Sequence, residues 1–187
     1  MSKIEAENKL ASVQKKRRLL FELTLFPMLG VIMFCSKLLM EALPNIHLVG
    51  MLTVLYTVVF RSRALIPVYI YVFLTGLYMG FDVWWIPNLY IWTVLWAITM
   101  ILPKNMPRAA AIVVYSIICG LHGFLYGTLY APAQALFFGL NFEQTVAWII
   151  AGIPFDILHG VGNTIFGCFV YPLAEIIKKI MKKQLGF

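Results

Sequence analysis

Acidic, imidazole and amide side chains inside long apolar runs are the residues of this sequence best suited to chemistry. In the last such run, three polar residues and two glycines share an arc of about 100° on a helix. They are Asp156, His159 and Asn163, with Gly160 and Gly167. Such polar groups are costly in apolar surroundings and usually face a ligand, a proton pathway or another helix. We favour a ligand-binding face, with a helix-packing face of satisfied side chains as the alternative.

Aromatic side chains form a second candidate face in the apolar run around residue 90. Its members are Trp85, Asn88, Trp92, Trp96 and Thr99. An interfacial belt of aromatic residues accounts for Trp85 at the start of the run, but not for the deeper Trp92 and Trp96. These rings predict either core packing or a wall on which a flat ligand stacks.

A third stripe consists of His122, Tyr126 and Tyr130, with glycines beside it. A single histidine in such a run is more often an interior residue than a ligand contact. The glycines indicate close packing of helices, as does Gly76-x-x-x-Gly80 in an earlier run. The glycines of the third stripe are Gly120, Gly123 and Gly127.

The composition requires lipid around most of the molecule. Of 187 residues, 61% are hydrophobic and 12% are charged, whereas soluble domains have about 45–50% and about 25%. In lipid, backbone polar groups must be satisfied internally, which leaves helices or a closed barrel. The apolar runs are continuous and of helix length, so the sequence predicts an all-α membrane protein.

We predict a bundle of six transmembrane helices, since a span needs about 20 apolar residues. The expected spans are 21–43, 46–60, 64–81, 85–102, 109–130 and 154–177, with an irregular segment at 131–153 before the last helix. The sequence contains three cysteines inside these runs, and we expect buried free thiols rather than disulfides. They are Cys35, Cys119 and Cys168.

Basic residues set the expected orientation, because cytoplasmic loops carry an excess of Lys and Arg. With six spans, every basic cluster falls on one side and both termini are cytoplasmic. The clusters are residues 15–18, Arg61 with Arg63, Lys104 with Arg108, and Lys178, Lys179, Lys182 and Lys183. Lys37 lies elsewhere, and we expect it to pair with Glu41 four residues on. The net charge of +7 therefore indicates topology and contact with anionic lipid rather than nucleic-acid binding.

Several common catalytic motifs are absent from the sequence. It contains no Walker A motif, no Gly-x-Ser-x-Gly, no His-Glu-x-x-His and no Cys-x-x-Cys. We therefore expect no enzyme activity, no cofactor and no resident metal. Uphill transport would take its energy from an ion gradient or from a partner protein.

The chain resembles the S components of energy-coupling factor transporters, the substrate-binding membrane subunits of bacterial vitamin importers. Four stretches carry the likeness, and the overall pattern extends over nearly the whole chain. They are Leu-Pro-Asn-Ile-His at 43–47, Trp-Trp-Ile-Pro at 84–87, Leu-Pro-Lys-Asn-Met-Pro at 102–107, and Gly-Phe-Leu-Tyr-Gly-Thr-Leu-Tyr-Ala-Pro-Ala-Gln at 123–134. The resemblance leans toward the cobalamin-specific members.

That resemblance implies a vitamin site near the outer face of a bacterial plasma membrane. It also implies docking on one scaffold membrane protein and two ATPases, commonly through Ala-x-x-x-Ala on the first span. This chain has Gly30, Cys35 and Ser36 there instead. The expected substrate-binding residues are Asn45, His47, Trp85, Asn88, Trp92, Tyr126, Tyr130, Gln134, Asp156, His159 and Asn163.

The expected domains are a basic cytoplasmic segment at 1–20, the substrate-binding bundle at 21–177 and a basic cytoplasmic tail at 178–187. Vitamin capture for an ATP-driven importer, with cobalamin or a related corrinoid as the first candidate, is the leading hypothesis. A small proton-coupled carrier, with Asp156 and His159 as the relay, is the alternative. An intramembrane enzyme acting on lipid or peptide ranks last.

Overall fold

The protein is all-helical in the computed structural model, which describes residues 3–43 and 45–185. Helices account for 85% of the chain, and the described residues contain no strand. The helices are α1 (Lys3–Leu39), α2 (Val49–Phe60), α3 (Leu65–Met79), α4 (Asn88–Ile101), α5 (Arg108–Phe124), α6 (Tyr126–Phe138), α7 (Phe142–Gly167) and α8 (Val170–Leu185). Short 3₁₀ turns at Arg61–Ala64 and Val83–Trp85 precede α3 and α4.

Five helical stretches in the described part of the chain are long and apolar enough to cross a membrane. They are Ser12–Leu39, Val49–Met79, Val83–Ile101, Arg108–Phe138 and Phe142–Gly167. Large apolar side chains are exposed along most of them, which is expected of a surface in contact with lipid. The predicted membrane-protein class agrees with this architecture.

The stretch Val49–Met79 contains a turn at Arg61, where φ is +56°. On its first half, the Phe60 ring lies 5.4 Å from that of Phe26, and the Tyr56 hydroxyl donates to the Leu29 carbonyl at 3.3 Å. Residue numbers therefore fall along α2 as they rise along α1, so these two helices are antiparallel.

Contacts between α1 and α3 have the opposite sense. Arg63, just before α3, pairs with Glu22, whereas Tyr78 near the other end packs its ring 5.6 Å from that of Phe34. Helix α3 is therefore parallel to α1 and antiparallel to α2. The apolar stretch folds back on itself as a hairpin of two short helices, as the basic residues at its centre predicted.

The segment 131–153 is helical, so the prediction of an irregular segment is wrong. Helix α6 continues to Phe138 and ends at Gly139, whose φ of +64° suits a glycine. Asn141 then begins α7 with a capping box, in which its side chain and that of Gln144 each accept from the other's backbone N–H at 2.9 Å. Only a three-residue turn separates the two helices.

The last predicted span, 154–177, is not one helix. Helix α7 begins at Phe142 and ends at Gly167, and α8 follows from Val170. Pro172 lies in the first turn of α8, where its missing N–H costs little, whereas in an uninterrupted helix its ring would clash with the preceding turn. This accounts for the interruption at 168–169.

Helix α1 incorporates the described part of the predicted N-terminal segment and ends at Leu39. Glu41 therefore lies in the following turn, and among the described residues no ion pair joins it to Lys37. That predicted pair is wrong. The cysteines are free, as predicted, but only Cys119 is buried, while Cys35 and Cys168 are exposed.

Glycines bring α5 against α7. A Cβ added at Gly123 would lie 2.8 Å from the Cα of Gly160, and one added at Gly167 would lie 2.6 Å from the Cα of Ser116. The packing role predicted for the glycines of this region is therefore confirmed. Gly76 is also closely packed, since a Cβ there would lie 2.8 Å from Trp85 Nε1, but Gly80 ends α3 with φ of +91° and has open space around it, so the packing predicted for Gly80 is wrong.

We expect Gly123→Ala to destabilise the protein, because the added methyl meets the backbone of α7 rather than a side chain that can move. Overpacking of this kind costs about 1–3 kcal/mol. Thermal unfolding in detergent measures the loss. Gly152→Ala, which meets nothing within 4 Å, is the matched control and should leave the melting temperature unchanged or raised. Equal behaviour of the two variants would contradict the close contact.

Candidate functional site

Three histidines meet between helices α4, α5 and α7. The His159 ring lies 4.7 Å from that of His47 and 4.8 Å from that of Tyr126. Trp92 lies 5.5 Å from His122, 5.9 Å from Tyr126 and 6.0 Å from His47. These five rings and Asn163, one turn beyond His159, form what we call the histidine–aromatic cluster.

The members of the cluster come from several parts of the chain. Trp92 is on α4 and His122 is on α5, whereas Tyr126 is the first residue of α6. His159 and Asn163 are four residues apart on α7, so they share a face. His47 comes from the segment that connects α1 and α2.

The cluster is closed to the outside. Trp92 and Asn163 are 1% exposed, and each of the three histidines is at most 8% exposed. The Tyr71 ring on α3 lies 6.2 Å from that of Trp92. A Cβ at Gly50 on α2 would lie 3.0 Å from the Asn163 amide nitrogen. Neighbouring helices therefore enclose the polar groups.

Asn88 orients the aromatic side chains of the cluster. Its Oδ1 accepts from Trp92 Nε1 at 3.2 Å and lies 3.5 Å from the Tyr126 hydroxyl, while its Nδ2 donates to the Trp84 carbonyl at 3.3 Å. Donors and acceptor of this amide are thus used within the protein. The structure assigns Asn88 a positioning role beside the cluster.

Tyr130 lies at the edge of the cluster rather than inside it. Its ring is 6.3 Å from Tyr126 and stacks on Trp148 at 5.7 Å, and its hydroxyl donates to the Trp84 carbonyl at 3.0 Å. Trp85 instead donates to the Val72 carbonyl at 2.8 Å and packs on Phe81. Its ring is thus directed at α3.

The remaining predicted residues are Asn45 and Gln134. Asn45 is exposed and Gln134 is half-buried, and neither has a hydrogen bond or ring contact with the cluster among the described residues. The structure therefore brings together His47, Asn88, Trp92, Tyr126, Tyr130, His159 and Asn163, and places Trp85, Asn45 and Gln134 apart. That any of them binds a substrate stays a prediction.

Asp156 caps the start of α6. Its two carboxylate oxygens lie 3.0 and 3.1 Å from the backbone nitrogen of Gly127. That N–H belongs to the first turn of a helix, where no carbonyl of the same helix is available. The carboxylate also faces the positive end of the helix dipole. This helix-capping role accounts for a buried carboxylate at Asp156 without a ligand.

We expect Asp156→Ala to destabilise the protein by about 1–3 kcal/mol, because it leaves a buried N–H without an acceptor. Asp156→Asn retains an oxygen and should cost less. Thermal unfolding of the purified variants measures both. Asp82→Ala removes an exposed cap on the Val83 N–H, which water can replace, and serves as the control. A melting temperature unchanged in Asp156→Ala would contradict the capping role.

Five buried side-chain atoms of the cluster have no hydrogen-bond partner within the described part of the chain. They are His47 Nδ1, His122 Nδ1, His159 Nε2, and Asn163 Nδ2 and Oδ1. Buried polar atoms are almost always paired, and exceptions concentrate at functional sites. No other buried side-chain atom among the described residues shares this condition.

His122 belongs to the cluster but was not among the predicted substrate-binding residues. Its Nε2 is 3.1 Å from the Ile91 carbonyl, which fits an interior histidine, but its other ring nitrogen is unpaired. Its position in one stripe with Tyr126 was the available signal. Gly50 and Tyr71 carried no such signal, because only the tertiary contacts bring them here.

The three histidines do not make a metal site by geometry. Among the described residues, no group of three or more His, Cys, Asp or Glu side chains is arranged to hold a metal ion. The arrangement instead offers neutral donors and acceptors between aromatic rings. This combination is typical of sites for small organic molecules.

Comparison with known proteins gives no further assignment. No family model, no curated protein and no solved structure matches this chain. The class that the fold defines is an all-helical protein with several helices able to cross a membrane.

Proposed function

We propose that the protein is the substrate-binding membrane subunit of an ATP-driven vitamin importer, of the energy-coupling factor type that its sequence resembles. The observation that carries the proposal is the histidine–aromatic cluster. It is a closed set of unpaired polar atoms within helices whose outer surface is apolar. Capture of a small organic molecule would give those atoms partners, and the absence of a nucleotide motif is compatible with an energy supply from other proteins.

The proposed topology has six spans with both termini in the cytoplasm, formed by α1, α2, α3, α4, α5 with α6, and α7 with α8. Basic residues meet at the end of the bundle away from the cluster. Arg61 donates to the Met100 carbonyl at 2.6 Å, and Lys104 lines one cleft with Lys178. By the excess of basic residues on the cytoplasmic side, the cluster then lies in the outer half of the bundle.

The partners in this proposal are a scaffold membrane protein and two ATPase subunits in a bacterial plasma membrane. The substrate is a vitamin, with a corrinoid as the first candidate from the resemblance. Gly30 on α1 packs on Ile70 of α3, so docking on the scaffold would use another surface than the small residue of the first span.

The proton-coupled carrier is the alternative, and the contacts of Asp156 weigh against it. A relay needs a carboxylate that exchanges protons with His159, but the carboxylate is bound to the Gly127 N–H. Within the described residues, no hydrogen bond joins Asp156 to His159.

Transport should require the ATPase module. We expect the purified chain, reconstituted alone in liposomes, to bind its vitamin without concentrating it when a proton gradient is imposed. Uptake of labelled cobalamin and of smaller labelled vitamins is measured with and without the gradient. Concentrative uptake by the chain alone would favour the carrier and contradict the importer subunit.

The topology is tested by labelling single cysteines in a protein that lacks the native three. Cysteines at Asn45, Asp82 and Asn141 should react with an impermeant thiol reagent in intact cells, whereas one at Asn105 should react only after lysis. Cysteines at Ser2 and Phe187, which lie outside the described residues, should behave like the one at Asn105. Labelling of Asn105 but not Asn141 in intact cells would reverse the orientation.

A further inference from the structure

We propose that Asn163, with His47 and His159, binds the edge of a small planar ring that carries an N–H beside a carbonyl, and that Trp92 and Tyr126 contact its faces. The inference rests on the proposed function and names the substrate class of the same site. It follows from the chemistry of the unpaired atoms and from the side chains that surround them.

The unpaired atoms of Asn163 define the hydrogen-bonding pattern. Its amide presents an acceptor, Oδ1, and a donor, Nδ2, side by side, and both lack partners in the described chain. The complement of such a pair is a donor next to an acceptor. A ring N–H adjacent to a ring carbonyl has this pattern, as in pyrimidinediones, pteridinediones and flavins.

The histidines extend the hydrogen-bonding pattern beside Asn163. His159 lies one helical turn from Asn163 on α7, and its Nε2 is unpaired, as is Nδ1 of His47. A neutral imidazole can present either a donor or an acceptor at such a nitrogen. The pair can therefore bind a second carbonyl or ring nitrogen of the ligand.

The charge around the cluster favours a neutral ring edge. Asp156, the carboxylate nearest along α7, is occupied by the Gly127 N–H. Among the described residues, no hydrogen bond or ion pair joins Lys37 on α1 to His47 or His159. An anionic group bound at Asn163 would therefore be buried without a paired cation, which is costly.

The packing sets the size and shape of the ligand. Neighbouring rings of the cluster lie 4.7–6.3 Å apart, which is the separation of rings in contact. To contact both faces of a flat molecule, the rings of Trp92 and Tyr126, which lie 5.9 Å apart, must separate to about 7 Å, because each carbon–carbon contact takes about 3.5 Å. A corrinoid, with its much larger macrocycle, would require a wider opening, so the inference favours a smaller ring over the corrinoid that the resemblance suggests.

Binding of three probes tests the ligand class. 1-Methylthymine, 1-methyllumazine and lumiflavin carry the same single N–H between carbonyls on one, two and three rings, and each is paired with its N3-methylated counterpart. Calorimetry on the detergent-purified full chain should detect at least one of the three. N3-methylation and Asn163→Leu should each weaken binding by about tenfold or more, since buried hydrogen bonds are lost. Asn105→Leu, the same substitution in an exposed turn, should change affinity less than twofold.

Stability provides a second readout that needs no ligand. If the Asn163 amide is reserved for a ligand, Asn163→Ala, which adds no volume beside Gly50, should leave the melting temperature of the ligand-free protein close to that of the unsubstituted protein. A clearly lower melting temperature would show that the amide has a structural partner, and would overturn the inference.

The other outcomes are equally decisive. Failure of all three probes to bind, capture of cyanocobalamin that survives Asn163→Leu, or loss of probe binding in Lys37→Met would each overturn the ligand class. None of these binding and stability measurements requires ATP or an ion gradient. Concentrative uptake by the chain alone would therefore contradict the importer proposal and leave the ligand class intact.

Discussion

The close contact of α5 with α7 is the constraint on which the rest of the structure depends. Gly123 and Gly160 let the two backbones meet with no side chain between them. That contact sets the register of the two helices, which places Asp156 at the Gly127 N–H. Tyr126 and His159, adjacent to these residues, are then held ring against ring. A larger residue where α5 crosses α7 would break the hydrogen bond between Asp156 and the Gly127 N–H and would also move the rings of the cluster apart.

Much of this arrangement could be predicted from local patterns. Apolar runs of helix length gave the helical class, and Arg61 with Arg63 marked the turn between α2 and α3 inside a single apolar stretch. The stripes containing Trp92, Tyr126 and His159 do converge, since a narrow polar face in an apolar helix has few alternatives to the interior. Local signals also mark the end of α6 and the start of α7. They are Gly139 and the Asn141-x-x-Gln144 capping box.

What could not be predicted depends on contacts between distant backbone groups. The role of Asp156 depends on the backbone N–H of Gly127, and every residue type except proline has such an N–H, so no sequence pattern indicates the pair. The same holds for Trp85, whose partner is the Val72 carbonyl. Asn88 lies beside the cluster, but its side chain already forms hydrogen bonds with Trp84 and Trp92. Only the three-dimensional structure distinguishes side chains that are hydrogen-bonded within the described part of the chain from those, such as Asn163, that are not.

The unequal lengths of the helices have a consequence for the surrounding bilayer. Helix α3 has 15 residues and exposes apolar side chains such as Phe73 and Leu77, and at about 1.5 Å per residue it extends about 22 Å. The stretch Arg108–Phe138 has 31 residues and extends about 46 Å along its path. A hydrocarbon layer is about 30 Å thick, so in the proposed topology lipid would thin beside α3, whereas beside the stretch Arg108–Phe138 it would thicken or that stretch would tilt. This hydrophobic mismatch would make the tilt of the protein in the bilayer, and its association with other membrane proteins, sensitive to bilayer thickness.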